Sequence, residues 1–134
     1  MPFNHSPRPP QASFDLATIA DLIGRLNERI AGEVRFDAGS RALYATDASN
    51  YRQVPIGVVI PVTTEDVIDT VALCHAHKLP VLPRGGGTSL AGQCCITAVV
   101  MDMSKHLNKI LSLDPENKSA EVQPGVVLDW LRDE

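Results

Sequence analysis

Apolar residues recur at helical spacing from Phe14 onward: Leu16, Ile19, Leu22, Ile23, Leu26 and Ile30 fall on one stripe. The spacing predicts an amphipathic helix, capped by Ser13 or Asp15 and ending near Gly32, whose apolar face covers a core. Ahead of it, Pro2, Pro7, Pro9 and Pro10 accompany little that can be buried, so residues 1–13 read as a mobile tail. Glu33 to Phe36 reads as a short strand and Gly39 to Ala45 as a helical turn, which makes residues 14–43 a helical and short-strand lead-in. The polar run from Asp47 to Arg52 has two open readings, a site-lining loop or a solvated linker.

From Gly57 the alternation becomes regular. Gly57 to Ile60 is an apolar strand closed by Pro61, and Thr63 with Asp66 forms a capping box for a helix through Val67, Ile68, Val71, Ala72 and Cys74. Val81-Leu82 is the next strand. Strand, helix and strand together predict a βαβ unit with parallel strands and a right-handed crossover. Ala98 to Met101 gives a further strand. Ile110 to Leu113 and Ala120 to Val122 flank Asp114 to Lys118, a hairpin with a five-residue connection. Pro124-Gly125 then turns the chain into a helix bearing Val127, Leu128, Trp130 and Leu131, which stops without a cap, as expected of the amino-terminal part of a longer protein.

Composition narrows the classes of partner. A net charge of −4 and 4 % aromatic residues speak against nucleic acid, and 44 % hydrophobic residues speak for a packed core. No apolar run approaches a membrane span and the first residues lack a signal-peptide core, so the expected location is the cytoplasm. Cys74, Cys94 and Cys95 lack zinc-ligand spacing and read as small thiols kept reduced; a strained Cys94–Cys95 redox pair is the less favoured reading. No metal site is expected. His75 and His77 lie on different sides of a helix and read as surface residues, and His106 reads as part of a surface turn.

The stretch that points to chemistry is PVLPRGGGTSLAGQ, residues 80–93. Gly85, Gly86 and Gly87 bring bare backbone to a ligand, Thr88 and Ser89 add hydroxyls, and Gly92 makes a second turn, the layout of an anion cradle. A dinucleotide fingerprint starting at Gly85 fails because Leu90 stands at its third glycine. A Walker loop fails because Gln93 and Cys94 replace its lysine and hydroxyl. A plain glycine turn between elements is the bland alternative. For Arg84, direct pairing with a pyrophosphate and bracing of the loop from behind are both open.

This loop resembles the pyrophosphate loop of the FAD-linked oxidases of the vanillyl-alcohol oxidase type, in the 2-hydroxyacid dehydrogenase branch that includes D-lactate, glycolate and D-2-hydroxyglutarate dehydrogenases. The segments YATDASNYRQVPIGVVIPVTTEDVIDTVALCHAHKLPV and VVMDMSKHLNKILSLDPENKSAEVQPGVVLDWL on either side are similar to the same family. The resemblance implies an α+β, PCMH-type FAD-binding fold: a βαβ unit and a small mixed sheet flanked by helices, truncated, with residues 44–134 its amino-terminal part. It implies FAD along Pro83, Arg84, Gly85, Gly86, Gly87, Thr88 and Ser89, with Gly92 and Gln93 close by and Pro124, Gly125 and Val126 as a further contact. Covalently flavinylated relatives have a histidine where RGGGTS places Thr88, so non-covalent FAD is expected. The reaction implied is oxidation of a 2-hydroxyacid by hydride transfer to flavin N5. Its base and carboxylate clamp are not identifiable here, so the 134 residues are expected to be inactive alone and, with an unfinished sheet, prone to self-association. A stand-alone nucleotide-binding or assembly module without catalysis is the alternative.

Overall fold

The computed structural model describes residues 14–134. The expected tail over 1–13 and the capping role of Ser13 lie outside the described residues. Helix α1 (Leu16–Arg29) starts at Asp15, whose carboxylate accepts the Thr18 N–H at 3.1 Å. Its apolar stripe is buried at Leu22, Leu26 and the following Ile30, whereas Leu16, a full turn outside the core, is 82 % exposed.

Strand β1 (Glu33–Arg35) and the short helix α2 (Ala38–Leu43) precede β2 (Gly57–Ile60), α3 (Thr64–Ala76), β3 (Val81–Arg84) and β4 (Val99–Asp102). These four strands form one sheet in the order β1-β2-β4-β3. β2 and β3 run parallel, as expected of a βαβ unit, but they are not neighbours: β4 lies between them, parallel to both. Sequence content explains the order. Every residue of β2 and β4 is buried, which suits central strands. β3 contains Pro83, and because the Arg84 carbonyl accepts the Met103 N–H at 2.9 Å, the nitrogen of residue 83 points away from β4. Proline there costs no ladder bond on an edge strand.

Alternation divides the core. Val59, Val99 and Met101 join Leu22, Leu26, Leu73 and Cys74 under the helices, while Val58, Ile60 and Val100 pack with Tyr44 and Leu82 on the opposite face. In α3 the buried positions are Asp66, Thr70, Leu73 and Cys74, so Ile68 and Val71, half a turn away, face outward.

The capping box forms as expected, with the Asp66 N–H donated to Thr63 Oγ1 at 3.1 Å. Asp66 also accepts the N–H groups of Ala31 and Val62, each at 2.8 Å, and so ties the exit of α1 to the entry of α3. Burial pushes its carboxyl up, but the amides of Val62, Ala31 and Thr63 outweigh this and hold it below the usual carboxylate range.

His77 corrects the surface reading. It continues the inner face of α3, with Nδ1 2.7 Å from the Leu73 carbonyl oxygen and Nε2 2.7 Å from Asp21 Oδ2 on α1. Both partners are acceptors, an arrangement that favours the doubly protonated imidazolium over the neutral ring. The bond to Asp21 raises the His77 pKa above its ordinary 6.5. A raised folded-state pKa contributes stability that is complete below the unfolded value and is lost as pH rises through the folded one. The melting temperature should therefore fall as pH is raised from about 6 to about 9. In Asp21→Asn that part of the slope should flatten; an unchanged slope would assign it to other groups.

Strands β5 (Ile110–Asp114) and β6 (Ser119–Val122) form a separate hairpin, and helix α4 (Leu128–Asp133) closes the chain. Asp114 pairs with Ser119, so the connection is four residues, 115–118, and not five. Asp114 accepts the Asn117 N–H at 3.1 Å and Lys118 takes a φ of +52°, which tightens the turn. No helix among the described residues is long and apolar enough to cross a membrane.

Candidate functional site

The parallel strands β3 and β4 end side by side at Arg84 and Asp102. Their carboxyl ends release the glycine loop and the turn at residues 103–107 next to each other, where open α/β sheets place ligands. Among the described residues, no protein group accepts the backbone N–H of Gly85, Gly86, Gly87, Thr88 or Ser89. Five consecutive donors in a glycine-rich turn, without an acceptor among the described residues, are available to an anion.

The three glycines differ in what requires them. A Cβ on Gly87 would lie 2.4 Å from Arg84 Nη2, and Gly87 has a φ of +68°, so both space and backbone demand glycine. A Cβ on Gly86 would meet only Thr88 Cγ2, at 3.6 Å. Nothing within the protein calls for glycine there, and the bare backbone faces open space. Gly85 is similarly free, with the Pro124 carbonyl oxygen 4.0 Å from its virtual Cβ.

A cavity of about 650 Å³ opens in front of Gly85 and Gly86. Gly85, Gly86, Thr88 and Ser104 line one side, and Pro124, Gly125, Val126 and Trp130 the other. The structure thus brings Pro124-Gly125-Val126 against the glycine loop, across some 40 residues of sequence. Pro83 stands at the edge of β3, beneath the loop. Ser89, Gly92 and Gln93 do not line the cavity. Ser89 Oγ contacts Cys94 Sγ at 3.4 Å, Gly92 at a φ of +80° packs under the Tyr51 ring, and Gln93 Oε1 accepts the Ala91 N–H at 3.3 Å.

Arg84 adopts the bracing arrangement. Its guanidinium lies 5.3 Å from the centre of the Tyr44 ring and donates weakly to the Tyr44 carbonyl at 3.4 Å, held behind Gly87. The unbonded amides and the open space at Gly86 suit an anionic ligand, and a dinucleotide such as FAD would fit them.

The family described as the FAD binding domain matches residues 55–134. The chain belongs to this family. FAD is its cofactor. Curated relatives of this FAD-binding domain include the glycolate oxidase subunit GlcD of Bacillus subtilis, 38 % identical over 109 residues, 78 % of this chain and 23 % of that protein. The D-2-hydroxyglutarate dehydrogenase of Escherichia coli is 31 % identical over 129 residues, 93 % of this chain and 13 % of that protein. The mitochondrial D-lactate dehydrogenase (cytochrome) of Kluyveromyces lactis is 39 % identical over 101 residues, 72 % of this chain and 18 % of that protein. In fold, the chain resembles alkyldihydroxyacetonephosphate synthase, with TM-score 0.72 and 21 % identity over 97 % of this chain and 26 % of that one. p-Cresol methylhydroxylase is similar at TM-score 0.66 and 20 % identity, over 92 % and 26 % of the two chains. The architecture is the expected PCMH-type fold, and the chain spans 13 to 23 % of the curated relatives just named.

Behind the loop of this FAD-binding domain stand residues that sequence reading did not single out. Asp102 is 3 % exposed and accepts three hydrogen bonds: from the Tyr44 hydroxyl at 2.5 Å, the Ser104 N–H at 2.9 Å and the Ser104 hydroxyl at 2.6 Å. Burial, and then the bond to Asp102, pushes the Tyr44 phenol up to about 12. The polar run 47–52, largely exposed, is anchored to the glycine loop. Asp47 accepts the N–H groups of Ser49 at 2.8 Å and Cys94 at 3.2 Å, and Ala48 donates to the Gly87 carbonyl at 3.1 Å. The interaction with Ser49 leads in holding the Asp47 carboxyl below its ordinary range. A carboxylate closing an apolar strand, as Asp102 closes Val99-Val100-Met101, was the available signal.

Proposed function

We propose that the chain holds the phosphates of FAD along Arg84 to Ser89 through backbone donors, with Pro83 shaping the approach and Gly92 and Gln93 supporting the far arm. The single observation that carries this reading is the run of unspent N–H groups from Gly85 to Ser89. Pro124, Gly125 and Val126 form the facing wall and would meet the flavin or adenosine side. When bound, FAD supplies the acceptor for a hydride. The named substrates of the relatives, glycolate, D-lactate and D-2-hydroxyglutarate, share a 2-hydroxyacid core, which supports a substrate of that class.

The protein's own part at this site is binding and orientation. His106, the histidine closest in sequence to β4, is exposed in a turn, and no described side chain bonds it. The 134 residues should therefore bind FAD without turning over D-lactate. Titration of the purified chain with FAD, followed by flavin fluorescence, tests the reading: saturable binding is expected, and a linear, unsaturable response would reject it.

Attachment is non-covalent in this proposal. Thr88 offers an alcohol, and exposed alcohols lack the nucleophilic nitrogen that histidine brings to a flavin link. Acid precipitation of the loaded protein should release all yellow colour into the supernatant. Flavin retained in the washed pellet would contradict it.

A further inference from the structure

We propose that Ser104 is a hydrogen-bond acceptor for a sugar hydroxyl of the bound dinucleotide, standing beside its phosphates and not on them. The inference rests on the FAD reading above and assigns a neighbouring contact. Ser104 occupies a junction. It borders the cavity of about 650 Å³ together with Gly85 and Gly86, and also a second cavity of about 290 Å³ whose other walls include Tyr44, Arg84 and Lys105.

Hydrogen-bond accounting decides what Ser104 can offer there. A hydroxyl has one proton and two lone pairs. The Ser104 proton goes to Asp102 Oδ1 at 2.6 Å, and the same carboxylate oxygen takes the Ser104 N–H at 2.9 Å, so rotation of the side chain away would forfeit a paired contact. The Tyr44 hydroxyl occupies the other carboxylate oxygen at 2.5 Å and fixes the plane of Asp102. Towards the cavities Ser104 therefore presents lone pairs alone. Phosphate oxygens are acceptors as well, and a phosphate against Ser104 would set acceptor against acceptor in front of a buried carboxylate.

The free amides of Gly85 and Gly86 line the same rim and are the natural phosphate partners. On either side of a dinucleotide's phosphates come sugar hydroxyls, ribityl on one side and ribose on the other, and each carries the proton that Ser104 lacks. Asp102 and Tyr44, which border the second cavity as well, then act through Ser104 as positioning residues: they keep it an acceptor.

The test compares the chain with Ser104→Ala and Ser104→Thr, by calorimetric titration and by phosphorus NMR of bound FAD. One neutral hydrogen bond lost predicts FAD binding weakened about 3- to 10-fold in Ser104→Ala. Ser104→Thr should restore it, and the two phosphorus resonances of bound FAD should stay where they are in the wild type. Titrations with FMN and ADP separate the sources: a loss for FMN alone assigns the ribityl hydroxyl, a loss for ADP alone the ribose. Unchanged FAD affinity in Ser104→Ala, or phosphorus resonances displaced by it, would overturn the inference. Failure of the FAD reading looks different, because the wild-type chain itself would then take up no FAD.

Discussion

Gly86→Val is expected to abolish FAD binding while leaving the fold intact. At this position a Cβ meets only Thr88 Cγ2, at an ordinary 3.6 Å, and the backbone is outside the left-handed region. The protein therefore tolerates the side chain. The ligand does not, because the two γ-methyl groups would take up space on the loop surface where the proposal lays the phosphates. Losing two or three charge-assisted hydrogen bonds, each worth about 1.5–3 kcal/mol, predicts affinity lower by more than about 100-fold. The melting temperature of the ligand-free protein should move by no more than about 2 °C, as for a surface substitution. Titration and thermal denaturation of the same preparation check both halves. Wild-type affinity in this variant would put the phosphates elsewhere. Gly87 would be a poorer choice, since any side chain there strains the backbone and strikes Arg84, so lost binding could reflect a distorted loop.

Gly125→Ala should cost the fold a large part of its stability. Its added methyl would fall 2.3 Å from the Met103 carbonyl oxygen and 2.7 Å from that of Leu107, both backbone atoms of the turn that leaves β4. Met103 and Leu107 are buried in the core, so the turn has little room to retreat. The Gly125 N–H also donates to the Leu107 carbonyl at 2.8 Å, a bond the methyl would pry open. Overpacking and the lost bond together predict about 2–4 kcal/mol in urea denaturation, with faster amide exchange at Gly125 and Val126. Stability equal to the wild type would mean that the turn yields easily. Gly125 thus has a packing reason to be glycine, independent of any contact its neighbours make with FAD.

Local chemistry was the legible part of this sequence. Thr63 and Asp66 announced the start of α3 because a capping box is complete within four residues. The glycine loop was legible because three adjacent residues without side chains are costly unless something needs the space. The polar frame behind it was not, because its pairs are distant in sequence: Tyr44 reaches Asp102 across 58 positions and Asp47 reaches Cys94 across 47. The place of β4 between β2 and β3 was hidden for the same reason, although Pro83 already marked β3 as an edge. His77 looks like a surface residue beside His75 on its own helix, because the partner that engages it, Asp21, lies on another helix.

Amide NMR of the nitrogen-15-labelled chain titrated with FAD shows whether the backbone of the glycine loop holds the cofactor. The largest shifts should fall on Gly85, Gly86, Gly87, Thr88 and Ser89, the donors without an acceptor among the described residues, with smaller ones at Gly125 and Val126 on the facing wall. If those five amides stay fixed while FAD saturates the protein and shifts other residues, the loop is only a turn and the cofactor lies elsewhere.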